Sequence, residues 1–241
     1  MWKPMQDPVK AWEYPDLTTR KVQFIEVLVF LFLIMPSLVL SFFIVQQGAE
    51  VTFPFLAVAT IVRDLSLLSL IGYFVWRNRE GVQSLGWTFG QWRREIVFGV
   101  VIFLPVLFTA SLLDDTLHKI GLSSPAGMPA LENVKGPEEI VLAFILVSVV
   151  AVAEETIFRG YLLLRFQKGL QMAPFLAALL SSVIFSLGHG YEGAAGVITV
   201  GYIGLCLALV YQWRGSLVAP VVMHFLQDFF AIVFGPLLGL K

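Results

Sequence analysis

The sequence predicts an all-α protein, a polytopic transmembrane bundle of seven to eight helices. Hydrophobic residues fill 58% of its 241 positions and charged residues only 14%, where soluble domains average about 25% charged. Mean hydropathy is +0.83. Seven apolar runs are long enough, or nearly long enough, to cross a bilayer at about 20 residues per span. No room is left for a separate soluble domain.

The tail, "MWKPMQDPVKAWEYPDLTTR", has prolines and acids where a signal peptide would have its apolar core, so the first span is expected to remain as an anchor. Trp2, Trp12 and Tyr14 suit a tail resting at the membrane surface. The apolar runs are Val22 to Val45, Phe53 to Trp76, Ile96 to Leu113, Ile140 to Leu164, Pro174 to His189, Ala194 to Tyr211 and Leu217 to Phe234. All six tryptophans fall outside these runs or at their ends, as expected of indoles at the headgroup level. The segment "DDTLHKIGLSSPAGMPALENVKGPEE" reads as the longest loop, and Glu138 and Glu139 suit the first turn of span four. In span six, Gly204 and Ala208 form a small-xxx-small pair for close helix packing. Three regions follow: a tail at 1–21, accessory spans and a loop at 22–139, and a core at 140–241 that holds the chemistry.

Charge excludes some functions and orients the chain. The net charge is -1 and no block of like charge occurs, so nucleic acid is not an expected partner. The only cysteine, Cys206, forbids an internal disulfide or a thiolate cluster and reads as a small core residue. Eleven Lys and Arg fall in the tail and every second connection, three in the others, and Arg63 and Arg159 lie within spans. The positive-inside rule puts the amino terminus in the cytoplasm, with a multi-pass location in the cell membrane if the source is bacterial.

The costly residues point to a site. Insertion scales charge about 2.5 to 3.5 kcal/mol for one ionisable group at a helix centre, yet "AEETIFR" puts Glu154, Glu155 and Arg159 in span four. Glu155 and Arg159 are four apart and can pair; Glu154, turned by about 100°, faces elsewhere. In span seven "HFLQD" sets His224 and Asp228 on one helix face, and in span five "FSLGH" sets Phe185 one turn before His189 as a wall for its ring. His118 is assigned to the loop without a role. Counted at 1.5 Å per residue from the cytoplasmic ends, Glu154 lies about 15 Å deep, His224 about 10 Å, Asp228 about 16 Å and His189 about 22 Å. A shared polar site is expected, with span five shifted or kinked to bring His189 in.

These three motifs, Glu-Glu-x-x-x-Arg, Phe-x-x-x-His and His-x-x-x-Asp, stand in the order of a known family. With "GLCLALVYQWRGSLVAPVVMH" between the last two, residues 140 to 230 resemble the CAAX-protease and bacteriocin-processing family, which includes type II CAAX prenyl endopeptidases and bacterial Abi proteins. The resemblance implies an intramembrane peptidase in which Glu154 and His189 activate water while His224 and Asp228 stabilise the oxyanion. The family often has Asn at the last position. An ionised Asp donates no hydrogen bond, so Asp228 is either protonated or orients His224.

Amide hydrolysis needs an activated nucleophile, because free water has a pKa near 15.7. A carboxylate base meets that need, with the Glu155 and Arg159 pair supporting the helix that presents Glu154. No cofactor is expected. A zinc ion held by Glu and His side chains stays open as an alternative, although the compact His-Glu-x-x-His signature is missing. The expected partners are the bilayer and a peptide or prenylated peptide. Two other classes use the same residues: a proton-coupled transporter with a Glu/His relay, and a scaffold that acts through a partner.

Overall fold

A computed structural model describes residues 17–42, 52–122, 134 and 136–235. Among them are seven helices and no strand. They are α1 (Leu17–Ser41), α2 (Phe53–Arg77), α3 (Trp92–Lys119), α4 (Gly136–Gly169), α5 (Pro174–Leu187), α6 (Gly193–Arg214) and α7 (Val218–Phe234). The helical bundle agrees with expectation, while the number of full spans is lower. Five helices are long and apolar enough to cross a membrane, and α5 and α7 are shorter.

The boundaries differ from the apolar runs where charge and backbone, not hydropathy, decide them. The α3 helix continues past Leu113 through "DDTLHK", which the sequence assigns to a loop, and His118 therefore lies in its last turn. Pairs four residues apart, Asp114 with His118 and Asp115 with Lys119, suit a helix end whose dipole favours basic groups. The rest of that loop from 123 to 133, the tail from 1 to 16 with Trp2, Trp12 and Tyr14, and the last residues of run one lie outside the described residues. Glu138 and Glu139 do occupy the first turn of α4.

Two helices change form beside the polar residues. The α4 helix is α-helical to Glu155, then widens to π geometry over Thr156–Leu162 and again over Arg165–Gly169. In α7 the same change follows Asp228, over Phe229–Phe234. Such π turns are rare and concentrate at functional sites.

The helices pack α2 and α7 against α4, α5 against α6, and α3 against α6 and α7. Large apolar side chains such as Phe32, Phe55 and Phe108 are left on the outside, as a lipid-facing surface requires. Gly204 lets α6 approach closely: a Cβ there would lie 3.0 Å from Phe185 Cδ1 and 3.1 Å from Arg159 Nη2. Trp87 is half-buried and its indole donates to Thr156 Oγ1 at 3.2 Å, so it ties the loop after α2 to α4.

One end of the bundle is held by buried ion pairs. Glu26 of α1 accepts from Arg77 at 2.5 Å and from Asn78 at 2.9 Å. Arg165 of α4 grips both oxygens of Glu80 at 2.9 and 2.7 Å, and Arg214 of α6 does the same to Glu95 of α3 at 3.1 and 2.6 Å.

Candidate active site

The α4 helix supplies the centre of the site. Glu155 is fully buried, and its Oε1 accepts hydrogen bonds from Arg159 Nη1 at 2.7 Å and from His224 Nδ1 of α7 at 2.7 Å. The pairing of Glu155 with Arg159 expected from spacing is present, and Glu155 has the added task of holding His224. A carboxylate that already accepts from a guanidinium only accepts, so Nδ1 of His224 carries the proton.

Arg159 joins three helices. Besides Glu155 it donates from Nη2 to the Gly204 carbonyl of α6 at 3.1 Å, and its guanidinium lies 4.4 Å from the ring centroid of Phe185 on α5. The cation over an aromatic face and the two hydrogen bonds offset the cost of a charge without water.

With Nδ1 taken, Nε2 of His224 faces two further carboxylates. Asp228 Oδ2 lies 3.5 Å away and Glu154 Oε2 3.7 Å away. The i,i+4 placement of His224 and Asp228 on one face of α7 is thus as expected. Glu154 points away from Glu155, as the 100° rotation requires, and lines a cavity of about 220 Å³. Its Oε2 is buried with no protein donor among the described residues.

His189 reaches the same cavity because α5 is short. The helix ends at Leu187 after 14 residues, and His189 opens a tight 3₁₀ turn, Gly190–Glu192, leading into α6. His189 thus sits where the helical backbone of this segment breaks. The Phe185 ring lies 4.9 Å from the His189 ring on one side and 5.9 Å from the His224 ring on the other, so it walls both imidazoles. Nδ1 of His189 is 3.3 Å from the Phe185 carbonyl. His189, His224 and Asp228 also border a second cavity of about 710 Å³ on the side of α3 and α6.

All seven residues singled out in the sequence, Glu154, Glu155, Arg159, Phe185, His189, His224 and Asp228, are gathered around this point. The sequence reading missed α2. Arg63 and Asp64 line the smaller cavity, share a 2.8 Å ion pair, and Arg63 Nη2 stands 3.8 Å from Glu154 Oε1. The signal was available: two adjacent charges in the middle of an apolar run are as costly as those in span four. Among the described residues no group of three or more His, Cys, Asp or Glu side chains is arranged to hold a metal ion.

Comparison with known proteins fits this geometry. Residues 136–230 match the family described as Type II CAAX prenyl endopeptidase Rce1-like. Over this stretch, less than half of the chain, the protein is similar to that family. With five helices long and apolar enough to cross a membrane among the described residues, the chain is an integral membrane protein. A curated relative, an uncharacterized 24.3 kDa protein of Escherichia coli, is 26% identical over 118 residues, which are 48% of this chain. The chain spans about half, 54%, of that relative's length. No solved structure matches.

Proposed function

We propose that the protein is an intramembrane endopeptidase in which Glu154 is the base that activates water. The observation that carries this is Glu154 Oε2: a buried carboxylate oxygen without a protein donor, on a cavity wall it shares with His189, and 3.7 Å from His224 Nε2. An acceptor so placed takes a hydrogen bond from water, and a carboxylate then removes the proton as the oxygen attacks.

The remaining roles follow from what each group still has to offer. His224, held through Nδ1 by Glu155, presents Nε2 to the scissile carbonyl. When Nε2 carries a proton, it donates to the oxyanion that forms as water adds, and Asp228, 3.5 Å from Nε2, orients the ring in the resting site. This supports the second of the two sequence readings of Asp228, that it orients His224. His189, on the broken end of α5, stands beside the same cavity to pass a proton to the departing amine. The attacking water adds its oxygen to the carbonyl carbon, the C–N bond breaks, and the proton removed by Glu154 ends on the amine. Glu155, Arg159 and Phe185 are supports that fix both imidazoles.

No step is routed through a metal. His224 has one ring nitrogen engaged by Glu155, and among the described residues no three His, Cys, Asp or Glu side chains are arranged to hold a metal ion. Cleavage that continues after chelation and dialysis is expected; activity lost on chelation and restored by zinc would refute this part.

A prenylated carboxy-terminal peptide is the substrate class we favour, since its lipid can lie among the exposed apolar helices while the peptide enters the cavity. The amino terminus is assigned to the cytoplasm, in keeping with the Lys/Arg count. The test uses purified protein in liposomes with farnesylated and unmodified peptides. Glu154→Gln and His189→Ala are expected to abolish cleavage, and full activity in either variant removes that residue from catalysis. Equal cleavage of both peptides removes the prenyl requirement.

A further inference from the structure

The Arg63 and Asp64 pair of α2 has no task in the scheme above. Arg63 lies about 15 Å into α2 by helix rise, a depth at which a charge is costly. Asp64, 1% exposed, anchors it: Oδ1 accepts from Arg63 Nε at 2.8 Å and faces Nη2 at 2.8 Å. One edge of the guanidinium is thus clasped. The Arg63 side chain is 45% exposed and lines the cavity shared with Glu154, His189, His224 and Asp228.

The two oxygens of Glu154 face different neighbours. Oε1 is 3.8 Å from Arg63 Nη2, and Oε2 is the oxygen near His224 that has no protein donor. A cation beside one oxygen fixes the rotation of the carboxylate, which leaves the other oxygen for water. Arg77 is bonded to Glu26 on another helix, whereas Arg63 is anchored within its own helix. This guanidinium is open to the cavity and its anchor is its own neighbour in sequence.

We propose that Arg63, steadied by Asp64, is a positioning residue for Glu154 in the hydrolytic reaction. The inference rests on the peptidase reading. Its test is chemical rescue in liposomes with a peptide that the wild type cleaves. Arg63→Ala is expected to lower kcat about 100-fold with KM held within about three-fold, and methylguanidinium in the buffer to restore about ten-fold of it. Urea, planar and neutral, is expected to restore nothing, and Arg63→Lys to retain intermediate kcat. Unchanged kcat in Arg63→Ala, or a loss that neither methylguanidinium nor lysine repairs, overturns the inference. If the alanine variant does not fold, Arg63→Lys and Asp64→Asn carry the test: lowered kcat at unchanged KM supports the inference, and wild-type kcat in both overturns it. Cleavage insensitive to Glu154→Gln would refute the peptidase reading itself, whereas Glu154-dependent cleavage that ignores Arg63 refutes only the inference.

Discussion

Two groups of buried charges in this bundle are built to opposite rules. At the end where α1, α2, α3, α4 and α6 meet, Glu26, Glu80 and Glu95 each have both oxygens hydrogen-bonded to guanidinium or amide donors. At mid-span, Asp64, Glu154 and Glu155 each keep one buried oxygen with no donor. Carboxylates met on both oxygens offset desolvation and hold helices together, even where Arg165 Nε stays without a hydrogen-bond partner among the described residues, while an unmet carboxylate oxygen raises the energy of the folded state and stands ready for a ligand. The first group reads as architecture and the second as chemistry.

That contrast breaks first at Glu154. Glu154→Gln is expected to cost about 10³-fold in kcat, within the range of a lost general base, yet to leave thermal unfolding in detergent unchanged or raised, since its charged neighbours Arg63 and His224 stand 3.8 and 3.7 Å away, beyond hydrogen-bond distance. A clear drop in Tm would return Glu154 to the architectural group. Next comes Arg159, where both rules meet. Arg159→Met strands Glu155 in the core and is expected to destabilise by about 3 to 5 kcal/mol, with activity lost as well because His224 loses its fixed partner. Denaturant or thermal unfolding checks the first effect and peptide cleavage the second. Smaller still, Glu80→Ala leaves the Arg165 fork unpaired and is expected to cost about 3 kcal/mol with normal kcat per folded molecule. Reduced kcat there would blur the division. Smallest is Lys119→Ala, which removes an exposed pair with Asp115 and is expected to change stability by less than about 0.5 kcal/mol.

The sequence made much of this legible for a physical reason. In lipid each ionisable side chain needs a justification, so Glu154, Glu155, Arg159, His189, His224 and Asp228 stand out against their surroundings in a way they would not on a soluble surface. Spacing of four residues was enough to foresee the Glu155–Arg159 and His224–Asp228 pairs. What escaped lies beyond local pattern. The bond from Glu155 to His224 joins residues 69 apart, and nothing in either helix reports it. Hydropathy ended α3 at Leu113 because charged residues follow, but a helix leaving the hydrocarbon keeps its backbone bonds, and Asp115 and Lys119 extend it. The π turns after Glu155 and Asp228 leave no mark on apolar periodicity. Arg63 is legible as a charge within a span, but no charged residue stands three or four positions from it, so helix spacing alone gives it no partner.

The shortness of α5 has one more effect. At 14 residues it reaches about 21 Å, less than the hydrocarbon thickness of about 30 Å, and non-helical backbone at such depth persists only inside protein or along a hydrated hollow. The turn at His189 borders both cavities, so the place where the helix gives out is also the point at which two hollows in the bundle meet.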